Sequence, residues 1–285
     1  MSEWLIQLLN GFSFGFLLFL VAAGLSLTFG LMGILNLAHG SFFLVGAYIG
    51  LSISRSTGGN LLLSAIGAAI VVGLIGAGVE RLLLRRLYRQ HLEQVLVSFG
   101  LIYIFMDICK FIWGMDDHAI SKPVSLAGSV SILGSSYPAY RLAVIVIGIA
   151  VAAGLWLFQE KTRWGAVIRA GVDDKEMVTG LGINIGVTST LVFALGAFLA
   201  GFGGVVGGPF IGVSPGLDVE ILILALIVVV VGGLGTLQGA LAGSLLIGIL
   251  DSFGKALFPG LAMFTVYAIM VVILILRPSG LLGRR

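Results

Sequence analysis

The sequence predicts an all-α integral membrane protein, a polytopic helix bundle of about 8–10 transmembrane helices with broken or re-entrant half-helices. Three observations predict it. Hydrophobic residues make up 59% of the 285 residues and charged residues 10%, whereas a soluble domain carries about 25% charge. Nine apolar runs have the ~17–25-residue length that a helix needs to cross the hydrocarbon core. The basic residues cluster at the flanks of those runs, as they do in cytoplasmic loops. The 43 glycines agree, because small residues let helix backbones approach closely in lipid. No segment alternates apolar and polar residues over the ~10 positions of a barrel strand. The runs leave no room for a separate soluble domain, so residues 1–285 read as one transmembrane domain.

The first run, 5–29, has Glu3 where a signal peptide would carry a basic region, so it is expected to remain as a span. Runs 34–53 and 61–79 follow, then the cluster Arg81, Arg85, Arg86 and Arg89. Run 95–113 leads into the longest expected external loop, about 115–138, whose single lysine is Lys122. Run 142–158 returns to Lys161, Arg163 and Arg169. Runs 188–209, 219–234, 240–257 and 261–276 complete the set, and Arg277, Arg284 and Arg285 close it. With all three basic clusters in the cytoplasm, the N-terminus is expected outside, the C-terminus inside, and about nine crossings between them.

The charges within runs come in pairs. Asp107 and Lys110 are spaced i, i+3, and Asp251 and Lys255 i, i+4, so each pair can neutralise itself on one helix face; proton relay is the alternative. Asp218 and Glu220, just after Pro215 and Gly216, read as an external helix entry. Cys109, the single cysteine, lies in an apolar run as a buried small hydrophobe, and no disulfide framework can form. A catalytic reading finds no support. There is no CxxC, HExxH or GxSxG, and the three histidines, at 39, 91 and 118, are scattered. The segment 248–256 (GILDSFGKA) has the wrong spacing for a nucleotide cradle and no Ser or Thr after its lysine. The net charge of +3 leaves no basic stripe for nucleic acid. If transport is driven by ATP, another chain must hydrolyse it.

Between residues 164 and 184 lies the long polar stretch of the chain, between spans on the basic side. Asp173 is placed to cap a short helix, with Glu176 three residues on completing a capping box and Gly180 and Gly182 supplying stop signals. Met177, Val178 and Leu181 then form an apolar face, with Asp174 and Lys175 toward water. The element reads either as a docking helix for a soluble partner or as a solvated connection. Two further interruptions couple glycines to polar side chains: residues 30–50 with Asn36 and His39, and residues 230–248 with Thr236 and Gln238. Either they are half-helices lining a pathway, or they are tight interhelical turns at the cytoplasmic face with His39 hydrogen-bonded there.

These segments carry a resemblance. GILNLAHGSFFLVGAYIG, ERLLLRRLYR, RWGAVIRAGVDDKEMVTGLGIN, VVGGLGTLQGALAGSLLIG and LRPSGLLGRR, in that order, resemble the LivH-type permease subunits of bacterial branched-chain amino acid ABC importers over nearly the whole chain. By that likeness Asn36, Ala38, His39 and Gly40 match an Asn-x-Ala-His-Gly signature. Arg169, Ala170, Asp173, Asp174, Gly182, Ile183 and Asn184 match the loop that contacts the ATPase, and Gly232, Gly233 and Gly235 match a late glycine signature. Val178 stands where alanine is common and Gly180 where a helix former is usual, so the docking helix is expected to be shorter or looser than most. The resemblance implies ATPase coupling through these loop residues together with Glu176, Met177, Val178 and Leu181. It also implies a translocation path touching Asn36, His39, Gly40, Gly232, Gly233, Gly235, Thr236 and Gln238. The implied assembly, in the bacterial inner membrane, comprises a periplasmic substrate-binding protein, a second permease (related and LivM-like, or identical) and two ABC ATPase subunits. ATP and Mg belong to those ATPases, and this chain holds no cofactor or metal. Branched-chain or other hydrophobic amino acids are the implied substrates, with urea, short amides and aromatic carboxylates as the alternative. A stand-alone secondary transporter or channel would call for unpaired central acids, which the sequence does not show.

Overall fold

A computed structural model describes residues 2–33, 36–88, 90–132 and 134–283; the start of the run expected at 34, and Arg89, Arg284 and Arg285, lie outside the described residues. The elements in chain order are helices α1 (Ser2–Met32), α2 (His39–Ser56), α3 (Leu61–Leu82) and α4 (His91–Trp113), the strands β1 (Ser129–Ile132) and β2 (Ser135–Pro138), and helices α5 (Ala139–Lys161), α6 (Arg163–Asp173), α7 (Lys175–Gly180), α8 (Ile185–Ile211), α9 (Leu217–Gly232), α10 (Leu237–Leu257) and α11 (Ala262–Leu276). Each of the nine apolar runs contains one helix among the described residues. Among the described residues, α1, α3, α4, α5, α8 and α10 are long and apolar enough to cross a membrane. The helices α2, α9 and α11 are shorter, at 18, 16 and 15 residues.

α1 and α8 form the centre. α1 packs mainly on α10 and α8, and α8 on α3 and α2. Leu17 to Val21 of α1 are all but inaccessible. Glycine makes this packing close. A Cβ on Gly46 of α2 would overlap the backbone of Gly201 in α8, and one on Gly15 of α1 would lie 2.8 Å from the Ser244 carbonyl oxygen of α10. Backbones in such contact gain dispersion that lipid tails do not offer. By contrast α4 and α5 expose many large apolar side chains, including Phe111, Ile112, Val146 and Trp156, the surface expected of helices facing lipid or a second subunit.

The bundle has two ends. Arg81, Arg85, Arg86, Lys161, Arg163 and Arg277 mark the basic end, with α6 and α7. The opposite end carries a feature that the all-α reading did not include: β1 and β2 pair antiparallel, Ser129 opposite Pro138, inside the long loop after α4. This loop is pinned to the α8–α9 connection, where the His118 and Val213 backbones exchange hydrogen bonds of 2.8 Å. The expected self-neutralised pairs are present, Lys255 2.7 Å from Asp251 and Lys110 3.6 Å from Asp107. Cys109 is buried.

Candidate functional site

The polar stretch folds as two helices where the sequence reading expected one. Thr162 caps α6, its Oγ1 accepting from Gly165 N at 3.0 Å. Gly165, Ile168 and Gly171, three apart, are the buried face, and Gly171 sits against Leu31 at the end of α1. That 3.6-residue period was the available signal for α6, obscured by the arginines that mark the flank of a span. The expected cap is displaced by one residue. Asp174, not Asp173, caps α7, its Oδ1 accepting from Met177 N at 2.9 Å. Its backbone N–H closes α6 by donating to Ala170 O, so Asp174 is the joint between the two helices. Glu176 is then the second residue of α7 and closes no capping box.

α7 ends as its glycines require. Ile183 N donates to Val178 O and Gly182 N to Thr179 O, with Gly182 at φ +79, the paired bonds of a Schellman turn that favours glycine in the left-handed region. Asn184 then caps α8, accepting from Val187 N. Of the expected apolar face only Val178 is buried; Met177 is 64% and Leu181 73% exposed. Two apolar side chains thus stand in water on a short helix outside the bundle.

Beneath α7 a buried cluster ties the entry of α8 to α3, and sequence reasoning missed it. Glu80 is fully buried at the end of α3. Its carboxylate accepts hydrogen bonds from the hydroxyls of Tyr88 and Thr190, and the Arg85 guanidinium occupies the space beside Gly186. Burial first, then the hydrogen bond to Glu80 and its charge, holds the Tyr88 phenol above its usual range. Glu80 stood beside Arg81 in a charged flank, so nothing in its spacing separated it from a solvated residue.

The expected path residues fall into two groups. Asn36 folds back so that its Oδ1 accepts from Ala38 N, and Leu37 N donates to Ser98 Oγ. His39 begins α2 deep beside α1, 3.1 Å from the Val21 carbonyl oxygen, and Gly40 packs on the Asp218 backbone. Since α1 runs on to Met32, α2 starts more than two turns back along α1, and Asn36 and Ala38 just before it are buried in protein, where irregular backbone is tolerated. Asn36 Nδ2 and Gln94 Oε1, each without a partner among the described residues, line a void of about 10 Å³, large enough for about one water.

The second group is a tight turn. Gly232 of α9 meets the Gly239 carbonyl of α10, and Gly243 meets Val228. The chain end closes it, Leu281 N and Leu282 N donating to the free carbonyls of Val231 and Gly232. Ser26 Oγ donates to Thr236 O and Gly30 touches Gly235. Ser26 and Gly30 are two residues from Gly24 and Thr28, which face His39 and the Asn36 void, so the two groups sit on opposite faces of α1. Gly235, Thr236 and Gln238 instead join Arg169 and Asp173 around a cavity of about 660 Å³ at the basic end. There Arg169 lies 3.6 Å from Glu160.

The comparisons agree with this architecture. The model of the family described as "Branched-chain amino acid transport system / permease component" matches residues 7–274. The chain belongs to this permease family. The permease is 30% identical to the high-affinity branched-chain amino acid transport system permease protein BraD of Pseudomonas aeruginosa, over 99% of this chain and 96% of that protein. It is 26% identical to LivH of Escherichia coli, over 99% and 96%, and 29% identical to a probable LivH of Methanocaldococcus jannaschii, over 94% and 89%. Among solved structures it resembles PsaBC from Streptococcus pneumoniae in complex with Fab, with a TM-score of 0.52 and 13% identity over 95% of this chain and 91% of that one, a likeness of fold.

Proposed function

We propose that this permease is the membrane-spanning subunit of an ATP-driven importer of branched-chain or other hydrophobic amino acids in the bacterial inner membrane. The exposed α6–α7 pair carries the reading: a capped helix that leaves Met177 and Leu181 in water suits the grip of a soluble subunit. Positive-inside distribution puts the basic end in the cytoplasm, with the N-terminus outside and the C-terminus inside. Two cytoplasmic ABC ATPases, holding ATP and Mg, dock there, one on this chain and one on a second permease, LivM-like or identical. A periplasmic binding protein delivers substrate at the hairpin end. This chain contributes no cofactor and no chemistry of its own.

The proposed transmission is mechanical. α7 passes through its Schellman turn into α8, and Glu80 and Arg85 hold the first turns of α8 to α3, so movement of the docked helix carries both spans. Closure of the ATPases shifts the bundle between its openings only if they hold the two states differently. The test is to purify the chain gently from its native membrane and identify its companions by mass spectrometry. A second permease and ATPase subunits are expected, and are expected to be lost when residues 173–182 are scrambled. A chain that purifies alone and moves leucine in liposomes without ATP overturns the reading.

A further inference from the structure

At the end opposite α6–α7, the first half of α1, the start of α5, the end of α8, the start of α9 and the end of α10 line a half-open cavity of about 400 Å³, within the ~300–1,000 Å³ of small-molecule sites. Its lining combines three features. Phe14, Phe210 and Leu224 give it apolar walls. Arg141 enters it with its guanidinium carbon 4.6 Å from the centre of the Phe210 ring and its Nη1 donating to Asn10 Oδ1. Glu220 enters it from the first turn of α9. Among the described residues neither Arg141 nor Glu220 has an ion-pair partner, whereas Asp251 and Lys255 in the same wall neutralise each other at 2.7 Å.

One cation over a ring, one free carboxylate and an apolar wall are complementary to a molecule with a carboxylate, an ammonium group and a hydrocarbon side chain. Guanidinium pairs with carboxylate through two parallel hydrogen bonds. The ammonium group needs an acceptor, which Glu220 offers, and the side chain removes apolar surface from water against the two rings. We infer that this cavity is a binding site for a zwitterionic, apolar amino acid, with Arg141 taking its carboxylate and Glu220 its ammonium group. This rests on the proposed importer reading and adds to it a selective site within the membrane subunit. The cavity shares no lining residue with the 660 Å³ cavity at the basic end. Between them Leu17 to Val21 of α1 are packed shut, so a bound amino acid would wait there for the bundle to rearrange.

The test is equilibrium binding of radiolabelled L-leucine to the full-length chain in nanodiscs of phosphatidylglycerol, which lack any zwitterionic headgroup. Leucinamide, without a carboxylate, and 4-methylpentanoate, without an ammonium group, serve as competitors. Saturable leucine binding is expected, with both analogues at least tenfold weaker. Arg141→Gln is expected to weaken leucine at least tenfold and leave leucinamide unchanged; Glu220→Gln is expected to weaken leucine at least tenfold and leave 4-methylpentanoate unchanged. This crossed pattern separates lost recognition from misfolding, which would weaken all three. Unchanged leucine binding in both variants, or none in the wild type, overturns the inference. So does tight retention of phosphatidylethanolamine, lost in both variants, with no leucine bound, which assigns the cavity to a lipid headgroup. ATP-driven leucine uptake by the assembled wild-type complex is measured alongside. Uptake without a crossed pattern refutes this site and leaves the importer reading standing; absence of uptake refutes that reading first.

Discussion

Glu80 shows how one side chain can join elements that the sequence keeps far apart. Its carboxylate meets hydroxyls eight residues on, at Tyr88, and 110 residues on, at Thr190. Glu80→Ala removes the shared acceptor of two part-buried hydroxyls, although Thr190 keeps the Gly186 carbonyl as an acceptor, and opens a void, together a cost of about 1–3 kcal/mol. A clear drop in the thermal midpoint of the purified chain is therefore expected, with Glu80→Gln losing less because its amide oxygen still accepts. Equal midpoints for wild type and Glu80→Ala would show that the cluster carries no stability. Tyr88 supplies a pH signature. Its phenol is raised by burial, then by Glu80, so the folded state favours the neutral form. That contribution is complete below the ordinary phenol value of 10.0 and is lost as pH rises from there toward the raised value, because only the unfolded chain ionises in that window. Tyr88→Phe, which cannot ionise, is expected to show a shallower fall in stability above about pH 10; identical slopes argue that Tyr88 is free to titrate.

The joint between α6 and α7 decides what a helix-breaking substitution does. Lys175 is the first residue of α7, a position where proline is tolerated because that N–H has no intrahelical partner. Asp174 before it is extended, at φ −152 and ψ 101, as a residue preceding proline prefers. Val178 N, in contrast, donates to Asp174 O. A cap at Asp173 would put residue 174 in the helix, a conformation that a following proline disfavours; the observed cap leaves Asp174 extended and so separates position 175 from position 178 more sharply. Val178→Pro is expected to remove most ATP-dependent uptake in the reconstituted complex, and Lys175→Pro to retain most of it. Equal loss in both would place the start of the helix elsewhere. The same comparison tests whether α7 transmits at all, since Val178→Pro with full uptake excludes it. Asp174 itself, an exposed cap, is expected to cost about 1 kcal/mol when changed to alanine, read as weaker ATPase retention with the bundle's thermal midpoint unchanged.

For the whole molecule, orientation follows from the separation of α6–α7 and the basic residues at one end from β1, β2 and their loop at the other. Val124 in that loop is 95% exposed and Leu181 73%, so cysteines placed there report the two sides. A membrane-impermeant maleimide is expected to label Val124→Cys in intact spheroplasts and Leu181→Cys only after permeabilisation; Cys109, buried, should stay silent. The reverse order would invert the topology. The membrane class, nine helices and their order were legible in the sequence, because crossing a bilayer demands long apolar runs whatever the helices pack against. The Gly182 stop of α7 and the pairs Asp107–Lys110 and Asp251–Lys255 were legible too, since each is local in the chain, whereas Gly180 lies inside α7 as its last residue. The sequence reading left open whether residues 30–50 and 230–248 were half-helices or turns; in the first, α2 starts with His39 deep against Val21 of α1, and the second is a tight turn sealed by Leu281 and Leu282. Asp218 and Glu220 do stand in the first turn of α9, as expected of a helix entry, but the sequence reading carried no sign that Asp218 is buried and accepts from Ser41 Oγ at 3.1 Å. It gave no sign that Arg141 and Glu220 would face one cavity. By itself the sequence determined which segments leave water and which stay on the basic side, because burial of apolar surface and the sign of charge are properties of the segment alone. Only the tertiary structure decided which polar groups meet, because those meetings join residues more than 100 positions apart and depend on how closely glycine lets the helices approach.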